Sequence, residues 1–490
     1  MIRFARAAHR AALFVSVAAA ALGAAPALAQ MAPAVQPATE TVVVTGQRLR
    51  QERAIDARRT STAILDAVTA DEMGRVADKN VAESIERLPG VSLKYDQGEG
   101  RFVSLRGIDG ALNNVTVNGV DLGSPEGDTR QLPLDVVGGQ FLSRVEVIKA
   151  ITPDMDGQAI GGNVNLVLQS PYDFGQDAFL RLSLQGGEHE LNGTIPFALE
   201  TAAGFVFGGN DQFGLMLGAS YQERDFRSYG LYPDDWGPVA GSRRGAPINI
   251  KFTTYDIRRA RTGLSLAAEW RPQEGSRVYL QGLYSLFTED EYRQRYRLDF
   301  GALRFNPDGT TATFSGGERR QDLRLEQKDK SLLNLTLGGE HRFGAWKADG
   351  LLAWGLNELD EPNEVWLFRS GGQPGGAISG AVDFGPLLYS VTPTVDAPPS
   401  ALEFRQLTIQ QNKAEETSLT AALNLQRSIG WGDEGSFVKV GLRLRDAEKI
   451  QDNNQPRYDR GTTANRFTLA SAGLAGRPTA TRLDGRTYPN

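Results

Sequence analysis

The sequence contains no cysteine and only three histidines among its 490 residues. The missing thiols exclude disulfides, a thiolate metal site and an acylated lipoprotein cysteine, and so few histidines leave little for a metal cluster. After the N-terminus the chain has no apolar run of about 18 residues, so a membrane-spanning helix is not expected. Its net charge of -6 gives no basic surface for nucleic acid. We therefore expect no metal, no cofactor and no nucleic-acid partner.

The N-terminus has the pattern of an export signal. A positive segment with three arginines precedes an apolar stretch from Ala11 to Ala25, and Ala27-Leu28-Ala29 offers small residues for cleavage before Gln30. The apolar stretch is shorter than the roughly 20 residues of a spanning helix. We expect residues 1–29 to be a cleaved signal peptide.

Residues 30–59 have the composition of a linker, rich in proline, alanine and glutamine at the start. Within them lies one short β-branched segment in polar surroundings, formed by Glu40, Thr41, Val42, Val43, Val44, Thr45 and Gly46. Such a segment on a flexible tether can pair, backbone to backbone, with an exposed sheet edge of a partner.

Residues 60–170 show a mixed pattern that predicts a small α+β domain. We expect helices at 66–73 and 80–88, the second capped by Asn80 with Glu83 at capping-box spacing. Strands are expected at 91–95, 102–106, 115–117, 144–149 and 163–169. Asn118-Gly119 between two apolar segments predicts a two-residue hairpin.

From about residue 171 to 490 the apolar residues recur with a period of two. Leu215 and Leu217 share one face of a strand, as do Leu264 and Leu266, and the opposite faces are polar or charged. Short turns alternate with long polar stretches, at 288–329 and 360–402, which we expect to be loops. This layout is typical of an antiparallel transmembrane β-barrel, so we predict a mainly β protein of the cell outer membrane.

Five segments in order then resemble one family. They cover residues 81–91, 102–108, 114–120, 143–149 and 157–166, and together with the segment 40–46 they are similar to the TonB-dependent outer-membrane receptors. The resemblance implies a TonB box at 40–46, a plug domain at 60–170 and the N-terminal part of a barrel at 171–490. It also implies three partners: TonB, outer-membrane lipid and an extracellular ligand.

The resemblance supplies candidate site residues as well. Arg106 and Arg144 are expected to pair with acidic residues on the barrel wall and latch the plug in place. The segment 149–157 departs from the siderophore receptors and looks like the subgroup linked to carbohydrate uptake. Candidates for contact with the ligand are Glu99, Arg101, Glu126, Asp128, Trp236 and Tyr292.

Several alternatives stay open at this point. The ligand could be a ferric siderophore rather than an oligosaccharide. Family barrels have about 22 strands, and about 12 to 15 can be predicted here from the ~9–11 residues that a strand needs. We therefore expect a truncated chain whose barrel does not close, which would leave a surface-binding protein without transport. Catalytic motifs are missing, and we expect no enzyme.

Overall fold

The structure is a computed structural model, and the described residues are 55, 58–59, 61–69, 80–241, 245–385, 389–430, 436–460, 466–473, 480–483 and 486–489. The predicted signal peptide (1–29) and TonB box (40–46) lie outside the described residues. Within the described part, no helix is both long and apolar enough to cross a membrane. The predicted fold class is confirmed: the chain is mainly β, with a small α+β domain ahead of one large antiparallel sheet.

In the part of the N-terminal domain that the structure describes, a five-stranded sheet in the order β1-β6-β7-β4-β5 lies beside a β2–β3 hairpin and one helix. Its strands are β1 (Leu65–Thr69), β2 (Val91–Asp96), β3 (Glu99–Leu105), β4 (Asn113–Val117), β5 (Val120–Asp121), β6 (Leu142–Ile148) and β7 (Gly162–Leu168), and its helix is α1 (Val81–Glu86). Short 3-10 turns lie at Gly110–Leu112, Gly139–Phe141 and Pro171–Asp173. All sheet pairs are antiparallel except β4 with β7.

Most of the predicted local structure of this domain is confirmed. The Asn80 side chain accepts a hydrogen bond from the Glu83 amide at 3.1 Å and caps α1. Glu83 accepts from the Gly100 amide, so its carboxylate links α1 to β3. Asn118 and Gly119 have φ of 48° and 80°, the two positive values that a type I′ hairpin turn requires.

The helix predicted at 66–73 is wrong for its first four residues. They belong to β1, which pairs with β6 from Leu65 opposite Ile148 to Thr69 opposite Arg144. Residues 70–79 lie outside the described residues. The pairing buries Ala67 and Val68 in the domain core, so tertiary contacts override the weak local preference for helix.

Among the described residues, the remaining strands form a thirteen-stranded sheet and two small hairpins. They are β8 (Ala178–Gly186), β9 (Phe197–Phe207), β10 (Phe213–Tyr232), β11 (Trp236–Gly237), β12 (Ala246–Pro247), β13 (Asn249–Trp270), β14 (Ser276–Asp299), β15 (Ala302–Phe305), β16 (Thr311–Phe343), β17 (Trp346–Arg369), β18 (Ala377–Asp383), β19 (Ser390–Val395), β20 (Glu403–Ser428), β21 (Phe437–Asn454), β22 (Arg457–Asp459), β23 (Ala480–Leu483) and β24 (Arg486–Pro489). A further 3-10 turn lies at Pro399–Ala401.

The main path of the large sheet runs β8-β9-β10-β13-β14-β16-β17-β20-β21, and along it each strand is antiparallel to its neighbours. Among the described residues, β8 and β21 are the edges of this path. The stretches predicted as loops at 288–329 and 360–402 are largely strand instead, because β14, β16, β17 and β18 extend through them. Cross-strand ion pairs, such as Arg295 with Asp322 at 2.6 Å, stabilise these polar extensions.

The two faces of the large sheet differ sharply in chemistry. Apolar side chains project from its outer face, and Leu217, Leu337, Leu423 and Leu442 are each more than half exposed. On β10 the outward positions run from Phe213 to Tyr221, which spans about 26 Å at ~3.3 Å per residue. On a strand tilted by about 40°, that length covers about 20 Å of height, most of the apolar band of about 25 Å on a membrane barrel.

The N-terminal domain packs on the opposite, inner face. Its core contains α1 and strands β3, β6 and β7, and it also includes Leu283 of β14 and Leu332 of β16. These two leucines are fully buried although both come from the large sheet. The domain and the inner face therefore share one apolar contact, which fixes where their polar side chains meet.

Candidate functional site: the contact between the N-terminal domain and the sheet

The polar contact is set by strand periodicity. In β13 the apolar Leu264 and Leu266 point outward, so the odd-numbered Arg259 and Arg261 point inward toward the N-terminal domain. In β16 the parity is reversed, and Lys330 points inward. Cations on the inner face of several strands therefore point toward the N-terminal domain.

Glu99, the first residue of β3, is the centre of the most buried group. Its side chain is completely buried and contacts three arginines of the sheet: Arg224, Arg259 at 3.1 Å and Arg261 at 2.5 Å. Arg259 also pairs with Glu289 at 2.5 Å and with Asp96 at 3.2 Å. Three guanidinium groups therefore face three carboxylates, two of which, Glu99 and Asp96, come from the N-terminal domain.

Glu126 forms a second ion pair across the contact. Its Oε1 lies 2.6 Å from Lys330 Nζ of the sheet and 2.6 Å from Arg101 Nη2 within its own domain. Burial alone would raise the pKa of Glu126, but Lys330 and Arg101 outweigh it and lower that pKa to about 2. The carboxylate is therefore charged at neutral pH.

A third set of contacts holds the loop after β5, which we call the apical loop (residues 122–131). Asn357 Nδ2 donates to the Leu122 carbonyl at 2.8 Å, and the Ser124 amide donates to Glu416 at 3.2 Å. Just before the loop, Asp121 pairs with Arg445 of β21 at 2.9 Å. The apical loop is thus fixed against β17, β20 and β21.

Comparison with known families decides what the N-terminal domain is. The TonB-dependent Receptor Plug Domain family matches residues 57–163. The N-terminal domain is a TonB-dependent receptor plug domain. The resemblance found in the sequence is confirmed for the plug domain. This plug lies on the large sheet, which we call the wall.

Two relatives and one solved structure place the match in context. The chain is 30% identical over 193 residues to the vitamin B12 transporter BtuB of Photobacterium profundum, covering 36% of this chain and 30% of that protein. It is 28% identical over 137 residues to the vitamin B12 transporter BtuB of Vibrio cholerae serotype O1, covering 27% and 21%. The matches thus span less than a third of those relatives. The copper transporter OprC aligns with a TM-score of 0.36 at 13% identity, covering 78% of this chain and 63% of that one.

Among the described residues, the polar contacts of the predicted latch arginines Arg106 and Arg144 lie within the plug. Arg144 pairs with Glu146, two residues on and on the same face of β6, at 2.6 Å. Arg106 donates to the Gly161 carbonyl at 3.1 Å. Both partners belong to the plug, and the expected pairing with wall carboxylates stays a prediction. The described contacts have the opposite polarity: the plug supplies most of the acids and the wall supplies the bases.

The predicted ligand contacts lie in four different places. Glu99 and Glu126 form ion pairs with cations of the wall, and Arg101 pairs with Glu126 within the plug. Asp128 is exposed in the apical loop.

Trp236 is exposed in β11, opposite Pro247 of β12. Tyr292 shares its parity with the outward Leu280, and the pairing of β13 with β14 has no register shift between them. Tyr292 therefore points away from the space above the plug, because neighbouring positions on a strand alternate between its faces.

Glu289, Glu291 and Glu326 are close enough together to hold a metal ion. Each is already paired, Glu289 with Arg259 and Lys328, and Glu291 and Glu326 with Arg324. These cations neutralise the three carboxylates, so we interpret them as members of a cross-strand ion-pair network and not as a metal site.

Proposed function

We propose that the protein is a TonB-dependent receptor of the outer membrane that imports a large nutrient, an oligosaccharide, without changing it chemically. The observation that carries the proposal is the plug domain on the polar inner face of a sheet whose outer face is apolar. A soluble protein seldom exposes so large an apolar surface, whereas a lipid-facing wall requires one.

In this mechanism the ligand binds above the apical loop and TonB engages residues 40–46 by strand addition. Pulling on that segment then moves the plug relative to the wall. Ion pairs such as Glu99 with Arg261 and Glu126 with Lys330 hold the resting plug in register. Because water can replace each partner as the plug moves, such contacts can break and re-form during a transport cycle.

Cobalamin uptake is the second candidate, because both relatives described above are named vitamin B12 transporters. A ferric siderophore remains the alternative that the family resemblance suggests. A surface-binding protein without transport is the alternative from another class, and it differs from the others in needing no TonB.

Deleting residues 40–46 tests the coupling. The deletion should abolish uptake of the bound ligand and leave its binding unchanged, since the segment lies outside the plug match. A deletion of equal length in the linker, residues 33–39, is the matched control and should preserve uptake. Uptake that survives the loss of residues 40–46 would refute energy coupling through this segment.

A further inference from the structure

The inner wall above the plug has two chemically distinct halves. On β14 and β16 it carries charged side chains that are paired with one another. Arg293 and Arg295 share Asp322 at 3.1 and 2.6 Å, and Lys328 lies 2.8 Å from Glu326. These groups satisfy each other and present little unused charge to a ligand.

On β17, β20 and β21 the same level is occupied by amides. Five inward side chains form what we call the amide stripe: Asn363, Gln410, Asn412, Gln451 and Asn453. Hydrogen bonds between these amides cross from strand to strand. Asn363 donates to Gln410 at 3.2 Å, and Gln410 donates to Asn453 at 3.4 Å. In a separate pair, Gln451 donates to Asn412 at 3.3 Å.

Their inward direction follows from the register. Asn412 donates to Glu361, which lies 3.5 Å from the inward Lys328. On β21 the odd-numbered Arg445 and Lys449 contact the plug, so Gln451 and Asn453 share that face. The even-numbered Leu442 and Leu444 are exposed on the outer face.

The amide stripe begins beside the plug apex. A Cβ built on Gly127 of the apical loop would lie 2.5 Å from Gln451 Nε2, so the loop backbone passes against this amide. Gln451 and Asn453 are exposed, and Gln410 and Asn412 are half-buried. The stripe therefore borders the place where a ligand above the plug would rest.

We propose that the amide stripe is a ligand-binding surface for an uncharged molecule dense in hydroxyl or amide groups. A primary amide offers two N–H donors and an acceptor oxygen with two lone pairs, and the contacts within the stripe use only part of this capacity. An amide can therefore both donate to and accept from such a ligand. The stripe contributes no formal charge, so it gives an anionic ferric chelate no opposite charge to bind. This inference rests on the proposed function, since it takes the space above the plug as the ligand site.

The test compares neighbouring residues on opposite faces of β21. Binding of maltohexaose, cyanocobalamin and ferric citrate to the full chain is measured by equilibrium dialysis. Asn453→Leu together with Gln410→Leu should weaken binding of an uncharged probe roughly tenfold or more, as expected for the loss of two hydrogen bonds. Asn454→Leu, next to Asn453 on the outer face, is the matched control and should leave binding unchanged.

The outcomes separate this inference from the proposed function. Binding of maltohexaose or cyanocobalamin that the double variant lowers and the control does not supports the stripe, and the probe that binds identifies the ligand source. Equal effects of the double variant and the control would overturn the stripe while receptor function stands. Binding of ferric citrate alone, or of no uncharged probe, would overturn the ligand class. Loss of coupling through residues 40–46 is measured by uptake and is independent of these results.

Discussion

Replacing Glu99 by glutamine should loosen the plug from the wall. The substitution keeps the side-chain volume but removes the charge that faces Arg224, Arg259 and Arg261. Glu99 is completely buried, so water in the resting state cannot replace the lost carboxylate. The three guanidinium groups would then share only the remaining acids.

The free-energy cost of Glu99→Gln depends on which other partners the three arginines keep. Removing one partner of a buried ion pair costs about 3–5 kcal/mol. Arg259 retains Glu289 and Asp96, and Arg261 retains the Asp135 carbonyl at 2.7 Å, so we expect the low end. At about 1.4 kcal/mol per factor of ten, a loss of about 3 kcal/mol raises the population of released plug roughly 100-fold.

A single introduced cysteine can report this release, because the chain has no native cysteine. Ser285 on the inner wall is buried and donates to the Val136 carbonyl of the plug at 2.5 Å. Maleimide should therefore label Ser285→Cys only when the plug moves away. In this background Glu99→Gln should raise the labelling rate roughly 100-fold, and Arg224→Met should partly reverse the rise by removing an unpaired cation.

The control is Glu86→Gln, which removes an exposed carboxylate from α1 of the plug. It should leave the labelling rate near that of the unsubstituted chain. If Glu99→Gln and Glu86→Gln label Ser285→Cys at the same rate, the buried ion pairs do not hold the plug and the reasoning fails.

Two further predictions concern pH and backbone geometry. The pKa of Glu126 is lowered from 4.5 to about 2, so its stabilisation of plug docking is present above about pH 4.5 and is lost as the pH falls toward 2. Protection factors of the plug amides, which allow for the pH dependence of the intrinsic exchange rate, should fall over that interval, and Lys330→Met should move the onset to higher pH. An unchanged profile between pH 5 and 3 would contradict this role. Gly162→Ala should lower the urea midpoint of plug unfolding by the equivalent of at least ~1 kcal/mol, because at φ 138° its Cβ would lie 2.6 Å from the Ile148 carbonyl oxygen. Gly157→Ala, whose Cβ meets nothing within 4 Å, is the control, and equal midpoints for both variants would argue against a steric cause.

Local structure was predictable where neighbouring residues specify it. The Asn80 cap and the Asn118-Gly119 turn are confirmed because both depend on residues a few positions apart. The segment 66–69 was predicted as helix, and its strand depends on β6, about 80 residues further on. The period of two is visible in the apolar residues, and it also specifies which polar residues lie on the inner face. Because Leu264 and Leu266 point outward, the odd-numbered Arg259 and Arg261 of the same strand lie on the inner face.

By itself, the sequence determined the class of the molecule: a mainly β chain with an apolar period of two behind a plug domain. Strand periodicity and ordered motifs depend on residues that are close together in the sequence, so they can be recognised without knowing the partner strand. The tertiary structure decided which charges meet. Arg144 pairs within its own strand, while Glu99 and Glu126 meet cations that lie more than a hundred residues away along the chain. Only the packing of the plug on the wall selects among many possible acid–base pairs, because ion pairing depends on distance in space and not on separation in sequence.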